Sequence, residues 1–197
     1  MAFRSIARGG VVYSVGVGKD ITFDRALIRE FGVELHAFDP TPISVEWLAG
    51  QSLPANFHFH PVGLADRDGE VLFELPRHHE VSFTCRPGMV LEQPKRTCVG
   101  EVRRLATLLK ELGHSRLTLL KLDIEGAEYD VIKDVAAAAD RIDQLLVEFH
   151  HRMAGTRDAV ELTRDALRRL RAGGFRVFDV SPRGFEIGLL GPRASQS

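Results

Sequence analysis

The sequence predicts a doubly wound α/β fold: a mostly parallel seven-stranded sheet with an antiparallel last strand and helices on both faces. Three observations predict it. Short apolar runs alternate with amphipathic stretches in the order that βαβ units need. Two of those runs end in residues that carry chemistry, since Val11–Val15 breaks into Gly16-Val17-Gly18 and Leu117–Leu122 runs into Asp123-Ile124-Glu125-Gly126-Ala127-Glu128. The last two runs are joined by Ser181-Pro182-Arg183-Gly184, a turn too short for anything but antiparallel pairing.

Taken in order, strands are expected near 11–15, 33–38, 57–62, 117–122, 143–149, 175–180 and 185–190. Helices are expected near 21–31, 43–50, 102–113, 127–139 and 157–172, where apolar residues recur at helical spacing. Between 66 and 101 the pattern changes. Asp68-Gly69 is a hairpin signal, and Pro76, Pro87, Gly88 and Pro94 punctuate the rest of that stretch. A β-hairpin insert with a mobile loop that could serve as a substrate lid is the expectation there. With 197 residues, one domain over 1–191 is the natural count, followed by a frayed tail from Pro192 to Ser197.

Composition narrows the function. An apolar fraction of 44% supports a sizeable core. A formal net charge of −1 argues against a nucleic-acid partner held by phosphate neutralisation. Arg164, Arg168, Arg169 and Arg171 alternate with Leu162, Leu167 and Leu170, which reads as the solvated face of an amphipathic helix. Cys85 and Cys98 are expected as reduced thiols. No apolar run reaches membrane-spanning length, and Met1-Ala2-Phe3-Arg4-Ser5 lacks the core of a signal peptide. No membrane contact and a cytoplasmic location are therefore expected.

The glycine turn after the first strand suggests a nucleoside ligand, because glycines let the backbone turn tightly and approach closely. The second strand ends in Asp39, 21 residues beyond Gly18, the spacing at which a carboxylate accepts hydrogen bonds from ribose hydroxyls. Asp39 could instead be a turn-former before Pro40. A dinucleotide fingerprint needs a small residue where this chain has Ile21, and Asp20 after Lys19 breaks a P-loop. A nucleoside without a pyrophosphate fits better, and S-adenosyl-L-methionine is the common one.

Three blocks in this order resemble the FkbM-type methyltransferases: Ser14-Val15-Gly16-Val17-Gly18, then His36-Ala37-Phe38-Asp39-Pro40-Thr41-Pro42, then Leu120-Lys121-Leu122-Asp123-Ile124-Glu125-Gly126-Ala127-Glu128. The third is the most specific, and the likeness runs over about residues 11 to 150. It implies a class I methyltransferase fold, a Rossmann-like three-layer sandwich, with S-adenosyl-L-methionine as cofactor. Ser14, Gly16, Val17 and Gly18 would then shape the loop under the methionine part, Asp39 would hold the ribose, and Pro40 would fix the chain beside it. Gly63-Leu64-Ala65 would lie along the adenine, and Asp123 and Glu125 would face the transferring methyl and the acceptor. The first loop departs from the family, which often has an acidic residue where this chain has Ser14.

A further cluster lies at the end of the fifth expected strand. Period-2 alternation puts Glu148 and His150 on one side, while His151 points away. If that strand neighbours 117–122, they approach Asp123 and Glu125, giving carboxylates and an imidazole suited to general-base work or to a divalent metal. His150 is favoured as base because it titrates near neutral pH. A hydrogen-bonded strand-end histidine and simple helix capping by Asp123 are the plainer alternatives. No metal is assigned, and His78-His79-Glu80 reads as an exposed polar loop. The resulting expectation is in-line O-methylation of a hydroxyl on a small-molecule or saccharide acceptor, the oxygen preference resting on the resemblance alone. A domain this short could need a homo-oligomer or a carrier protein to complete its acceptor site. The alternatives are a catalytically silent binding module and, less favoured by Ile21, a nucleotide-dependent oxidoreductase.

Overall fold

The structure, a computed structural model, describes residues 6–76, 83–85, 93–150 and 158–194. The expected loop His78-His79-Glu80, most of the expected lid, His151 and the end of the tail lie outside the described residues. Among the described residues, seven strands form one sheet: β1 (Val11–Val15), β2 (Glu34–Phe38), β3 (Phe57–His60), β7 (Leu117–Leu122), β8 (Ile142–Glu148), β9 (Arg176–Val180) and β10 (Glu186–Leu190). Their order is β3-β2-β1-β7-β8-β10-β9, with β10 antiparallel to both neighbours and the other ladders parallel. The turn after Ser181 is closed by Gly184 N–H donating to the Ser181 carbonyl at 2.8 Å.

The central strands are buried on both faces, which is why they read as near-continuous apolar runs. One face is covered by α3 (Leu105–Glu111), α4 (Glu128–Ala137) and α5 (Asp158–Ala172). Leu105, Leu108, Val131, Val135 and Leu170 there meet Tyr13, Phe38, Leu120, Leu145 and Val147. The other face carries α1 (Thr22–Phe31) and α2 (Pro42–Ala49), whose Leu27 and Leu48 join Val12, Leu35, Ala37, Leu119 and Leu146. Ile21 belongs to this core at 3% exposure, so it anchors the start of α1 by packing. The arginines of α5 lie on its solvent side, where Arg164 pairs with Glu161 and Arg168 with Asp165.

The insert is a second, three-stranded sheet of β4 (Gly63–Leu64), β5 (Gly69–Leu75) and β6 (Arg96–Arg103), in the order β4-β6-β5. Two expectations need correction here. Asp68-Gly69 does not turn a hairpin between neighbouring strands, because β4 pairs with β6, in parallel. The Asp68 carboxylate instead accepts from Arg104 N–H at 2.8 Å and Thr107 Oγ1 at 2.9 Å, capping α3 from a distance. The helix expected from 102 starts only at Leu105, because Val102 and Arg103 pair with Gly63, Leu64 and Gly69. Cys85 and Cys98 are both free thiols.

Candidate active site

Progress along the sheet reverses at β1, which lies between β2 and β7, and open α/β sheets bind ligands outside the carboxyl ends of strands at such a point. A cleft lies there. Gly16, Val17 and Gly18 line it from the loop after β1, Asp39, Pro40 and Thr41 from the end of β2, and Asp123, Ile124 and Glu125 from the end of β7. Gly63 and Leu64 close one side, while Phe73, Phe83 and Cys85 reach in from the insert. Burial and the charge of Asp130 push the Cys85 thiol up to about 11, which leaves it a poor nucleophile.

Gly16 is fixed by contact as well as by conformation. Its φ is +84°, and a Cβ there would stand 1.7 Å from the Asp123 carbonyl oxygen. The loops after β1 and β7 therefore touch backbone to backbone. Lys121 spans the same seam, its ammonium donating to the Gly16 carbonyl at 3.4 Å and lying 3.5 Å from the Asp123 carboxylate.

Asp39 is buried and accepts from several donors. One carboxylate oxygen takes the N–H groups of Val17 at 3.1 Å and Gly18 at 3.0 Å, together with the Ser44 hydroxyl at 2.8 Å. The other takes Thr41 N–H at 2.9 Å and the Thr41 hydroxyl at 2.6 Å. The glycine loop and the first turn of α2 are thus tied to one carboxylate. A ribose hydroxyl meeting Asp39 would share oxygens that already serve the backbone.

The parallel pairing of β7 with β8 brings the acidic turn beside His150. Glu128, with no exposed surface, accepts from Ile124 N–H at 3.0 Å and Gly126 N–H at 2.9 Å, and lies 2.8 Å from His150 Nδ1. His150 Nε2 stands 3.3 Å from Glu125, 3.7 Å from Asp123 and 4.0 Å from Glu148. Burial by itself depresses the pKa of His150. The hydrogen bond and charge of Glu128, with Glu125 and Asp123 adding, reverse that and lift it to about 9. His150 is therefore an imidazolium at neutral pH. The Glu148 carboxyl is also raised, by burial and by the charge of Asp123, which for an acid favours the neutral form. Asp123, Glu148 and His150 bring ligand-type atoms within 4.8 Å of one another, but the proton on His150 occupies the lone pair a cation would use.

Glu125 has a φ of +52°, a left-handed conformation that costs a non-glycine residue on the order of 1–2 kcal/mol. That cost is offset locally by Glu128, whose carboxylate ties the peptide groups on both sides of the turn.

Of the residues expected at the cofactor, Gly16, Val17, Gly18, Asp39, Pro40, Gly63, Leu64 and Asp123 line the cleft. Ser14 does not. Alternation along β1 sends it to the α1 side, where it faces the buried Asp24, whose carboxyl is held up by desolvation. Of the catalytic candidates, Asp123 and Glu125 line the cleft, while Glu148 and His150 stand directly behind them. The proton already on His150 removes the reason for preferring it as base. Nor does Asp123 cap α4, which starts after Ala127. Sequence reasoning gave no role to Lys121 or Glu128, although both belong to the motif. The depth of Glu128 and its reach back over the turn are the signals it lacked.

The cleft chemistry suits an adenosylated sulfonium. Asp123 and Glu125 would face a cationic centre, Asp39 could accept from hydroxyls, and Phe38, Leu64 and Phe73 would give apolar walls to a base. Comparison with known proteins agrees. Residues 14–177 match the methyltransferase FkbM domain. The chain is 26% identical over 178 residues to a methyltransferase-like protein 24 of Rattus norvegicus, a match covering 85% of this chain and 42% of that protein. The human counterpart is also 26% identical, over 175 residues that make up 85% of this chain and 41% of that protein. The chain thus spans about two fifths of the length of these relatives. In fold it is similar to the Methanococcus jannaschii fibrillarin pre-rRNA processing protein, with a TM-score of 0.55 at 11% identity over 97% of this chain and 70% of that one. The glycine turn, the Asp39 anchor, the acidic turn after β7 and the matched domain together place this chain in the FkbM family of S-adenosylmethionine-dependent methyltransferases.

Proposed function

We propose that the protein methylates a hydroxyl on a small molecule or sugar, with a carboxylate as the proton acceptor. The observation that carries this reading is the group of Asp123, Glu125 and Glu148 around a charged His150, two of them lining the same cleft as the glycine loop. S-adenosylmethionine supplies, when bound, a methyl group already activated by its sulfonium. What the protein must add is alignment of an acceptor and removal of its proton. Glu125 serves as the base at its Oε2. Geometry favours it over Glu148, because Glu125 lines the cleft and Glu148 does not.

His150 serves as a charge clamp. Its Nδ1–H is held by Glu128, and its Nε2–H faces Glu125 and Asp123. This keeps Glu125 aimed, a positioning role and not a proton-accepting one. Asp123 orients the acceptor hydroxyl beside Glu125, and Asp39 with the N–H groups of Val17 and Gly18 holds the cofactor end of the cleft. Phe73 and Phe83 of the insert shield the site from water. An oxygen acceptor fits a carboxylate base, since a hydroxyl must lose its proton as the new bond forms.

The test is calorimetric titration with S-adenosylmethionine and S-adenosylhomocysteine, with NAD as control, followed by methyl transfer to a panel of sugars and hydroxylated small molecules. Micromolar binding of the adenosyl ligands alone, with turnover on hydroxyl acceptors only, is the expected result. Binding of NAD, or transfer confined to nitrogen or sulfur acceptors, would overturn the assignment.

A further inference from the structure

A second cluster of titratable side chains lies outside the cleft, at the β3 edge of the sheet. Glu34 and His36 lie two residues apart on β2 and so share a face, and His58 of β3 pairs directly with His36 across the ladder. The ligand atoms of Glu34, His36 and His58 all lie within 4.8 Å of one another. His58 Nε2 is hydrogen-bonded to Glu34 Oε1.

The central residue is His36, which is only 8% exposed. Its Nδ1 is 2.9 Å from His60 Nε2, yet its Nε2 is buried with no hydrogen-bond partner among the described residues. Its ring is held in place, stacked on His60 at 5.2 Å and packed edge-on to His114 at 4.6 Å. His114 is in turn fixed by Tyr13, whose hydroxyl is 2.8 Å from its Nδ1. If His36 donates from Nδ1 to His60, its Nε2 keeps a bare lone pair on a ring whose centre lies 4.9 Å from that of His58. A histidine held through one ring nitrogen, with the other left free, is the usual arrangement of a protein-bound metal ligand. Buried polar atoms rarely go without a partner, so the orphaned nitrogen itself points to a missing one.

We propose that Glu34, His36 and His58 bind a divalent first-row transition-metal ion, zinc in the first instance, which clamps the edge strand β3 to β2. Two imidazoles and one carboxylate suit zinc, and they disfavour magnesium or calcium, which take oxygen ligands. Tetrahedral ligation at about 2.0–2.2 Å needs ligand atoms about 3.4 Å apart. The half-exposed side chains of His58 and Glu34, at 39% and 44%, can make that adjustment while His36 stays fixed. A fourth position would fall on the solvent side and take water.

The experiment uses the full chain without an affinity tag, stripped by chelator and titrated with zinc against a chromophoric competitor. One equivalent should bind with micromolar or tighter affinity. At a hundredfold excess over Kd it should raise Tm by about 5–10 °C. His58→Ala and Glu34→Gln, both at half-exposed positions, should each weaken zinc at least tenfold while the metal-free Tm stays near that of the parent. Cobalt(II) in place of zinc should give visible bands that change in His58→Ala. No zinc bound at 100-fold over protein, or an affinity unchanged in both variants, would overturn the proposal. So would an affinity that falls in Asp123→Asn instead, since the ion would then sit at the acidic turn.

Discussion

Glu128 Oε1 lies 2.8 Å from His150 Nδ1, and the carboxylate that makes this contact has no exposed surface. It joins the turn after β7 to the end of β8 and sets the charge of the imidazole. Replacing Glu128 by Gln should lower the pKa of His150 from about 9 and, by leaving a buried charge without its partner, destabilise the fold by about 3–5 kcal/mol. Chemical denaturation and an NMR titration of the ring would check both. An unmoved His150 would remove Glu128 from that role.

Stability should carry the signature of His150. Its folded pKa stands above the unfolded value near 6.5, so the group binds protons more tightly in the folded state. The stabilisation is complete below about pH 6.5 and is lost as pH rises through 9. It should amount to a few kcal/mol, on the order of 1.4 kcal/mol per unit of pKa difference. Urea denaturation of the parent at pH 6 and pH 9.5 should show this decline, and His150→Gln should show much less of it.

Glu125 separates function from stability. Glu125→Gly relieves the left-handed strain at φ +52° but removes a charge beside His150, so its stability should stay within about 1 kcal/mol of the parent. Turnover should fall about 10²–10⁴-fold with cofactor affinity kept. Glu148→Gln should fall less, because Glu148 lies outside the cleft lining. Equal activity of Glu125→Gly and the parent would transfer the base to another residue.

Asp39→Ala should weaken S-adenosylmethionine binding at least tenfold and also destabilise the protein by about 2–4 kcal/mol. It frees the N–H groups of Val17, Gly18 and Thr41 together. Calorimetry and thermal melts read the two effects separately. Lost stability with unchanged affinity would confine Asp39 to holding the loop.

Gly16→Ala should be more damaging than Gly18→Ala. Both glycines have positive φ, but a Cβ at Gly18 meets open space, whereas one at Gly16 meets the Asp123 backbone. Gly16→Ala should lower Tm by several degrees more than Gly18→Ala and abolish measurable cofactor binding. Matching melts for the two variants would refute the seam between the loops.

The sheet was legible in the sequence because each central strand is apolar on both faces and ends in glycine or acid, as β1 and β7 show. The cleft was legible because its lining comes from strand ends, where Gly16, Asp39 and Asp123 announce themselves by spacing. Relations that bind distant positions were hidden. Asp68 caps a helix that starts at Leu105, and nothing local distinguishes it from a turn residue. Glu128 reads as an ordinary first-turn acid until its burial is seen. The charge on His150 depends on Glu128, Glu125 and Asp123, all from the turn after β7 and distant in sequence, so its own sequence neighbourhood suggests an ordinary imidazole. His36, His58 and His114 come from three separate stretches of the chain and meet only through the sheet edge.

The contact of Gly16 with the Asp123 carbonyl makes two loops into one mechanical part. Neither can lengthen, shift or acquire a side chain at that seam unless the other moves with it. A redesign of this domain for a new acceptor has free ground in the insert, where Phe73 of the separate sheet and Phe83, outside its strands, line the cleft. The seam itself is the fixed jig against which every new acceptor must be aligned.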